Sequence, residues 1–303
     1  KTRAQRNEDK LKEIAVSCGM HETLTYSFVS PAFADALRLE KQDPLRRAVE
    51  IINPLGEDMS VMRTQLVYSM LGTLTSNLLK SQKAARMFEV ASVYLPVGEL
   101  PIDRQPEEQT HIVLGAYGKD EDFYSLKGVV ELMPDAFGIE VKYVRSGAPF
   151  LHPGRAAEIM KGGKSLGFVG EIHPAVAQSM GASERLYVAE LNVDLINKYE
   201  KTAYKFEPIS KFPPVERDIA VVVDESVSGG EILETVRSAG GAILREAEIF
   251  DVYRSEAVGK GKKSVAVGMV FRADDRTLTD EEMAQRMEKL LARLKEKLGA
   301  VLR

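Results

Sequence analysis

The clearest hydrophobic pattern lies in the C-terminal third of the chain. Between Asp218 and Asp224 both alternations are apolar, Ile219, Val221 and Val223 on one side and Ala220 and Val222 on the other, which predicts a central strand. Ser228 and Glu231 then stand at capping-box spacing and Val227 and Ile232 at hydrophobic-staple spacing, predicting a helix that runs to Gly240. Two strands, Leu244 to Tyr253 and Ser264 to Phe271, flank the turn Gly259-Lys260-Gly261-Lys262, and Val265, Val267, Met269 and Phe271 alternate with small residues. Thr279 and Glu282 repeat the capping box and Leu278 and Met283 the staple. Met283, Met287, Leu290, Leu291, Leu294 and Leu298 form the apolar stripe of a second helix, and Val301-Leu302 supplies a short last strand.

This order predicts a ferredoxin-like β-α-β-β-α-β module, with both helices on one face of an antiparallel sheet and the other face open. Many unrelated functions use that fold, so it does not by itself name one. The preceding residues read as an α+β pattern. Helices are expected at about Asp9 to Cys18, Leu66 to Ser81, Ser125 to Phe137 and Pro174 to Met180. Strands are expected at Glu22 to Val29, Val49 to Ile52, Met87 to Tyr94, Thr110 to Tyr117, Ile139 to Arg145, Arg155 to Lys161, Ser165 to Glu171 and Leu186 to Asn192. The boundary falls between Tyr199 and Pro208, giving domains 1–203 and 204–303.

Composition narrows this only a little. A chain of 303 residues fits two domains, and no apolar run approaches the ~20 residues needed to span a bilayer, so no membrane contact is expected. Cys18 is the single cysteine, which excludes a disulfide framework and fits a reducing cytoplasm. His21, His111, His152 and His173 are scattered with no ligand spacing, so no metal site is expected. The net charge of −4 means that affinity for a polyanion must rest on local patches. The chain opens at Lys1 inside a helix lead-in and reads as a fragment.

Lys211-Phe212-Pro213, Arg217-Asp218-Ile219, Phe250-Asp251-Val252-Tyr253, Lys262-Lys263-Ser264, Thr277-Leu278-Thr279 and the Leu302-Arg303 ending together resemble the ferredoxin-fold anticodon-binding domain. In bacteria that domain ends the phenylalanyl-tRNA synthetase β subunit. Thr23 to Ser30, Asn53 to Arg63, Phe88 to Tyr94, Leu151 to Arg155 and Gly167 to Pro174 resemble the same subunit's catalytic-like domain, so the likeness covers nearly the whole chain. It implies a class II synthetase-like mixed antiparallel sheet domain followed by the ferredoxin-like one. It also implies an α subunit as partner in an α2β2 heterotetramer, and tRNA(Phe) as the nucleic acid bound. The whole assembly would use ATP and Mg²⁺, with neither bound by this fragment. Two other functions are a self-sufficient class II ligase and a stand-alone RNA-binding or amino-acid-sensing module.

The phosphate-binding residues of a class II active site are missing. Where the resemblance calls for Arg-x-Glu after the strand ending at Tyr94, the chain reads Leu95-Pro96; where it calls for Gly-x-Gly and a helical arginine, it reads Val193-Asp194-Leu195-Ile196. The first domain is therefore expected to be noncatalytic, packing against the α subunit. In the second domain the candidate tRNA contacts are the cations Lys211, Arg217, Arg254, Lys260, Lys262, Lys263, Arg272 and Arg276, with Phe250 and Tyr253 as aromatics. Ser264, Ala266, Gly268 and Val270 leave a flat surface beside them. Residue chemistry alone favours a solvated lysine loop and two core aromatics; the resemblance reverses this.

Overall fold

The computed structural model describes residues 1–100, 104–201, 206 and 209–303. The chain divides into two compact units, Lys1–Tyr204 and Lys205–Arg303.

Unit 1 opens with α1 (Arg3–Ser17), which starts earlier than its apolar stripe because Thr2 and Gln5 form a capping box. Then follow β1 (His21–Glu22), β2 (Phe28–Val29), α2 (Phe33–Ala36), β3 (Val61–Met62), α3 (Val67–Leu79), β4 (Ala85–Leu95) and β5 (Glu107–Tyr117). The unit continues with α4 (Phe123–Asp135), β6 (Lys142–Arg145), β7 (Leu151–Lys161), β8 (Lys164–Ile172), α5 (Pro174–Ser179), β9 (Tyr187–Asn192) and α6 (Val193–Tyr199). Seven strands form one sheet in the order β1-β4-β5-β9-β8-β7-β6, antiparallel except for the β1–β4 pair, while β2 and β3 pair separately.

Both faces of the large sheet are buried, and the strands alternate between two cores as their period of two requires. Ile112 and Leu114 of β5 and Ala189 and Leu191 of β9 join the core under α1, α4 and α6. Val113 and Tyr117 of β5 and Val188 of β9 join the core under α2, α3 and α5. Helix α3 presses closely on β5: a Cβ added at Gly115 would lie 2.7 Å from Met70 and 2.8 Å from Leu74.

The expected strand over Glu22 to Val29 is broken in two. After Thr23, whose N–H bonds the Phe88 carbonyl, the chain leaves β4 because Thr25 gives its N–H and hydroxyl to the buried carboxylate of Glu89. The expected strand Val49 to Ile52 reduces to one bridge, Glu50 to Val61. The strand expected from Ile139 starts at Lys142, since the Ile139 N–H closes the end of α4 on the Pro134 carbonyl.

Unit 2 consists of β10 (Val215–Asp224), α7 (Gly229–Gly240), β11 (Leu244–Tyr253), β12 (Lys262–Phe271), α8 (Asp280–Leu298) and β13 (Val301–Leu302). Both capping boxes form, at Ser228 with Glu231 and at Thr279 with Glu282. The sheet order is β11-β12-β10-β13, the ferredoxin-like arrangement. Val265, Val267, Met269 and Phe271 are buried against the helices together with Ile232, Val236, Leu290 and Leu294.

Candidate nucleic-acid interface

Residues paired across antiparallel strands share a face, so the register of unit 2 lays out its uncovered side row by row. Glu216, Val270 and Glu246 make the first row, Asp218, Gly268 and Glu248 the second, and Ala220, Ala266 and Asp251 the third. The fourth, at the hairpin end, holds Val222, Ser264 and Tyr253, with Val301 beside Val222. Five carboxylates therefore flank the first three rows, and all five are exposed.

The aromatics are not in the core. A β-bulge between Ile249 and Asp251 makes Phe250 the extra residue, and its ring turns out onto Gly268, where an added Cβ would meet it at 3.5 Å. Phe250 is 59% exposed and Tyr253 44%. Ser264 departs from the expected flat surface: it points to the open side yet is buried.

The candidate cations separate into two groups. Lys260 and Lys262 are exposed on the hairpin, and among the described residues neither forms an ion pair, although Asp224 stands opposite Lys262 in the register. Lys263 is a correction: it is 8% exposed and donates its Nζ to the Glu225 carbonyl at 3.0 Å, so it has no face for a phosphate. Arg254 is exposed beside them and pairs with Glu225 at 2.8 Å. That hydrogen bond, against the opposing effect of burial, holds the Glu225 carboxyl below its ordinary range.

Arg217, Arg272 and Arg276 lie elsewhere. Arg217 shares a row with buried Met269, which puts it on the helix side, where it reaches Asp280 at 3.5 Å. Arg272 follows the far end of β12, half-buried, its carbonyl accepting from Arg245. Arg276 pairs with Asp275 and with Glu282 of the α8 cap. At ~3.3 Å per residue Arg272 lies about 30 Å from Lys262 along β12, and Arg217, opposite Met269, about 23 Å. Lys211 is exposed in the segment leading into β10.

Sequence reasoning missed Arg303 as a contact. Its N–H bonds the Ala220 carbonyl at 2.9 Å, and its guanidinium lies 5.0 Å from the Tyr253 ring centroid. The signals were its place after a short apolar strand and the Leu302-Arg303 ending that forms part of the resemblance.

In unit 1, β4 ends at Leu95 and β9 at Asn192, neither a cation. After β9, Asn192 caps α6 and Asp194 accepts the Thr110 N–H at 3.0 Å, so a carboxylate stands where a cation is needed. Glu190 accepts the N–H groups of Leu66 and Val67 at the start of α3 and faces His111 Nδ1 at 2.7 Å. Arg63 is fully engaged with Glu89, Thr25 and the Ser92 carbonyl. His152 and His173 accept the N–H groups of Gly154 and Ala175, as turn and cap residues. Both sheet faces are filled here and these charges are paired. Among the described residues no cluster of His, Cys, Asp or Glu can hold a metal ion, and no helix is long and apolar enough to cross a membrane.

A solved pyrrolysyl-tRNA synthetase from Desulfitobacterium hafniense has a similar fold, with a TM-score of 0.53 at 15% identity over 64% of this chain and 68% of that one. That likeness is one of fold. The family model of the phenylalanyl-tRNA synthetase beta chain CLM domain matches residues 1–193, and that of the ferredoxin-fold anticodon-binding domain matches residues 210–303. The chain belongs to the phenylalanyl-tRNA synthetase β-chain family. Similar relatives include the phenylalanine–tRNA ligase β subunits of Clostridium tetani, 40% identical, and Clostridium acetobutylicum, 39% identical; each alignment covers 100% of this chain. The chain spans 38% of the length of those relatives.

Proposed function

We propose that this chain serves a phenylalanine–tRNA ligase as its noncatalytic part. Unit 1 scaffolds the catalytic α subunit in an α2β2 assembly, and unit 2 holds the anticodon region of tRNA(Phe). The complete assembly charges that tRNA with phenylalanine, using ATP and Mg²⁺ that this chain does not itself bind.

The observation that carries the tRNA part is the uncovered sheet face of the anticodon-binding module, with an exposed tyrosine and unpaired lysines at one end. Phosphates are repelled from the carboxylate-lined rows and attracted to the hairpin end by Lys260 and Lys262. Tyr253 offers a ring on which one base stacks, and Asp251 in the neighbouring row accepts from a base amino group. A protein partner for unit 1 is supported by large apolar side chains left in solvent between Leu24 (87% exposed) and Ile52 (93%), joined by Tyr26 and Leu55. Beside them an open pocket of about 420 Å³ is lined by Tyr26, Phe28, Tyr68, Gly72 and Met180.

Binding of the chain to tRNA(Phe) and to another elongator tRNA, each at two salt concentrations, tests the first part. Preference for tRNA(Phe) that weakens with salt and falls in the Lys260→Ala/Lys262→Ala variant is expected. Co-purification with co-expressed α subunit tests the second; loss of that complex in Leu24→Asp or Ile52→Asp is the expected outcome.

A further inference from the structure

We infer that Arg38, His152 and His173 form an oxyanion-binding site on unit 1, suited to the oxygens of a phosphate group. The site is independent of the anticodon module. It lies beside the start of β9, where the Ile172 N–H bonds the Leu186 carbonyl, at the other end of that strand from Asn192.

Strands β7 and β8 bring the two histidines together. Leu151 pairs with Ile172 and the His173 N–H bonds the Phe150 carbonyl at 2.8 Å, so His152 and His173 each follow the same pair on strands that run in opposite directions. Such diagonal neighbours stand roughly 7–8 Å apart, within reach of each other's side chains. Arg38 arrives from the chain after α2. Its neighbours Leu37 and Leu39 are buried in the same core as Phe150, Leu151 and Ile172, while Arg38 itself is exposed.

The three side chains offer donors. Each imidazole accepts a backbone N–H at Nδ1, from Gly154 at 3.0 Å and from Ala175 at 3.1 Å, so the neutral ring carries its proton on Nε2. A metal would need that nitrogen stripped of its proton, whereas an anion accepts from it. Among the described residues neither Nε2–H nor the Arg38 guanidinium has an acceptor, and the carboxylates of the same elements are engaged elsewhere, Asp35 with Arg46 and Glu171 with Arg155. Arg38 also stands where the backbone alone would favour glycine. Its φ is 56° directly after the C-cap of α2, with its N–H and that of Leu39 bonding back to Asp35 and Ala34. Glycine takes that left-handed turn without steric cost, so the cation is kept there against a local preference. Burial first, and then the positive charges of Arg38 and His152, lower the His173 pKa below its ordinary value. A phosphate offsets both charges, and its oxygens accept from several directions where a carboxylate offers one plane.

The test follows the histidine ring resonances of the full chain during titration with inorganic phosphate, pyrophosphate and tRNA(Phe) at fixed pH and ionic strength. The chain has four histidines, so His152→Gln and His173→Gln assign their signals. The free anions are expected to move the His152 and His173 signals saturably, to leave exposed His21 unchanged, and to raise the His173 titration midpoint. Arg38→Gly should weaken that binding about tenfold while melting at or above wild type, because glycine suits the backbone there; Arg38→Lys should keep more of the affinity. Movement by tRNA(Phe) that is lost in Arg38→Gly assigns the phosphate to RNA, and movement by the free anions with tRNA(Phe) silent assigns it to a small phosphate ligand. If no arm moves the two signals beyond His21, if the shifts never saturate, or if Arg38→Gly responds like wild type, these residues form no such site.

Discussion

The two sheets of this chain are built from similar strands and finished differently. In unit 1 every central strand sends alternate residues into two cores, so its sheet is an interior layer. In unit 2 the helices cover one side only, and the other side of β12 carries Ala266, Gly268 and Val270 in half-exposed positions. A sheet covered on both faces can position other things but has no surface on which to receive them. A sheet covered on one face keeps its strength on the helix side and leaves the other free to be shaped by charge.

That contrast can be broken most forcefully through the buried pair in unit 1. Arg63→Ala strands Glu89 in a site where both partners are almost wholly buried, and a loss of about 3–5 kcal/mol is expected. Denaturant unfolding should show the transition of unit 1 moving while that of unit 2 stays. A matched pair of glycine substitutions comes next. Gly115→Ala forces Met70 and Leu74 of α3 away from β5 and is expected to cost about 1–3 kcal/mol. Gly268→Ala meets its nearest neighbours, Asp218 and Phe250, at 3.4 Å or more and should change stability by no more than about 0.5 kcal/mol. Equal costs at the two glycines would erase the distinction between covered and open sheets.

Within the open face, Tyr253→Ala should weaken tRNA(Phe) by a stacking contribution of about 1–3 kcal/mol while leaving the melting temperature of unit 2 nearly unchanged. Neutralising the acidic rows with Asp218→Asn and Glu248→Gln should act in the opposite direction. Affinity for a noncognate tRNA is expected to rise several-fold at low salt and the preference for tRNA(Phe) to shrink, read from parallel titrations. The smallest effect concerns pH. Glu225 has its carboxyl lowered by the hydrogen bond from Arg254, so its contribution to the hairpin base is present above the unfolded value near 4.5 and is lost as pH falls through the lower folded value. The Tyr253 ring resonances, followed down through that range, should shift in wild type and stay flat in Glu225→Gln.

Features decided by neighbours in sequence were legible; features decided by distant partners were not. The helices α7 and α8 follow from capping boxes only three residues wide, and the buried side of β12 from simple alternation. The break after Thr23 depends on Glu89, 64 residues beyond Thr25, and nothing near residue 25 announces it. Lys263 looked like its neighbours in a basic turn, but the fold places the Glu225 carbonyl where its ammonium ends. Arg217 and Arg272 look like the hairpin lysines because cations count alike in a string, yet along the sheet they lie about 23 Å and 30 Å from Lys262. Arg303 required the β13–β10 register, which two residues of apolar sequence cannot specify.

The extra residue at Phe250 acts on its strand much as an inserted letter acts on a line of text. Before it, Glu246 and Glu248 face outward; after it, Asp251 and Tyr253 do, although an unbroken alternation would turn those two toward the helices and bring Val252 out. Tyr253 stands on the open face only because one residue was added upstream of it. Presentation of the ring is therefore set by the length of β11 as much as by the identity of residue 253, and a deletion three positions away would turn it from the open face to the helix side while leaving the tyrosine itself in place.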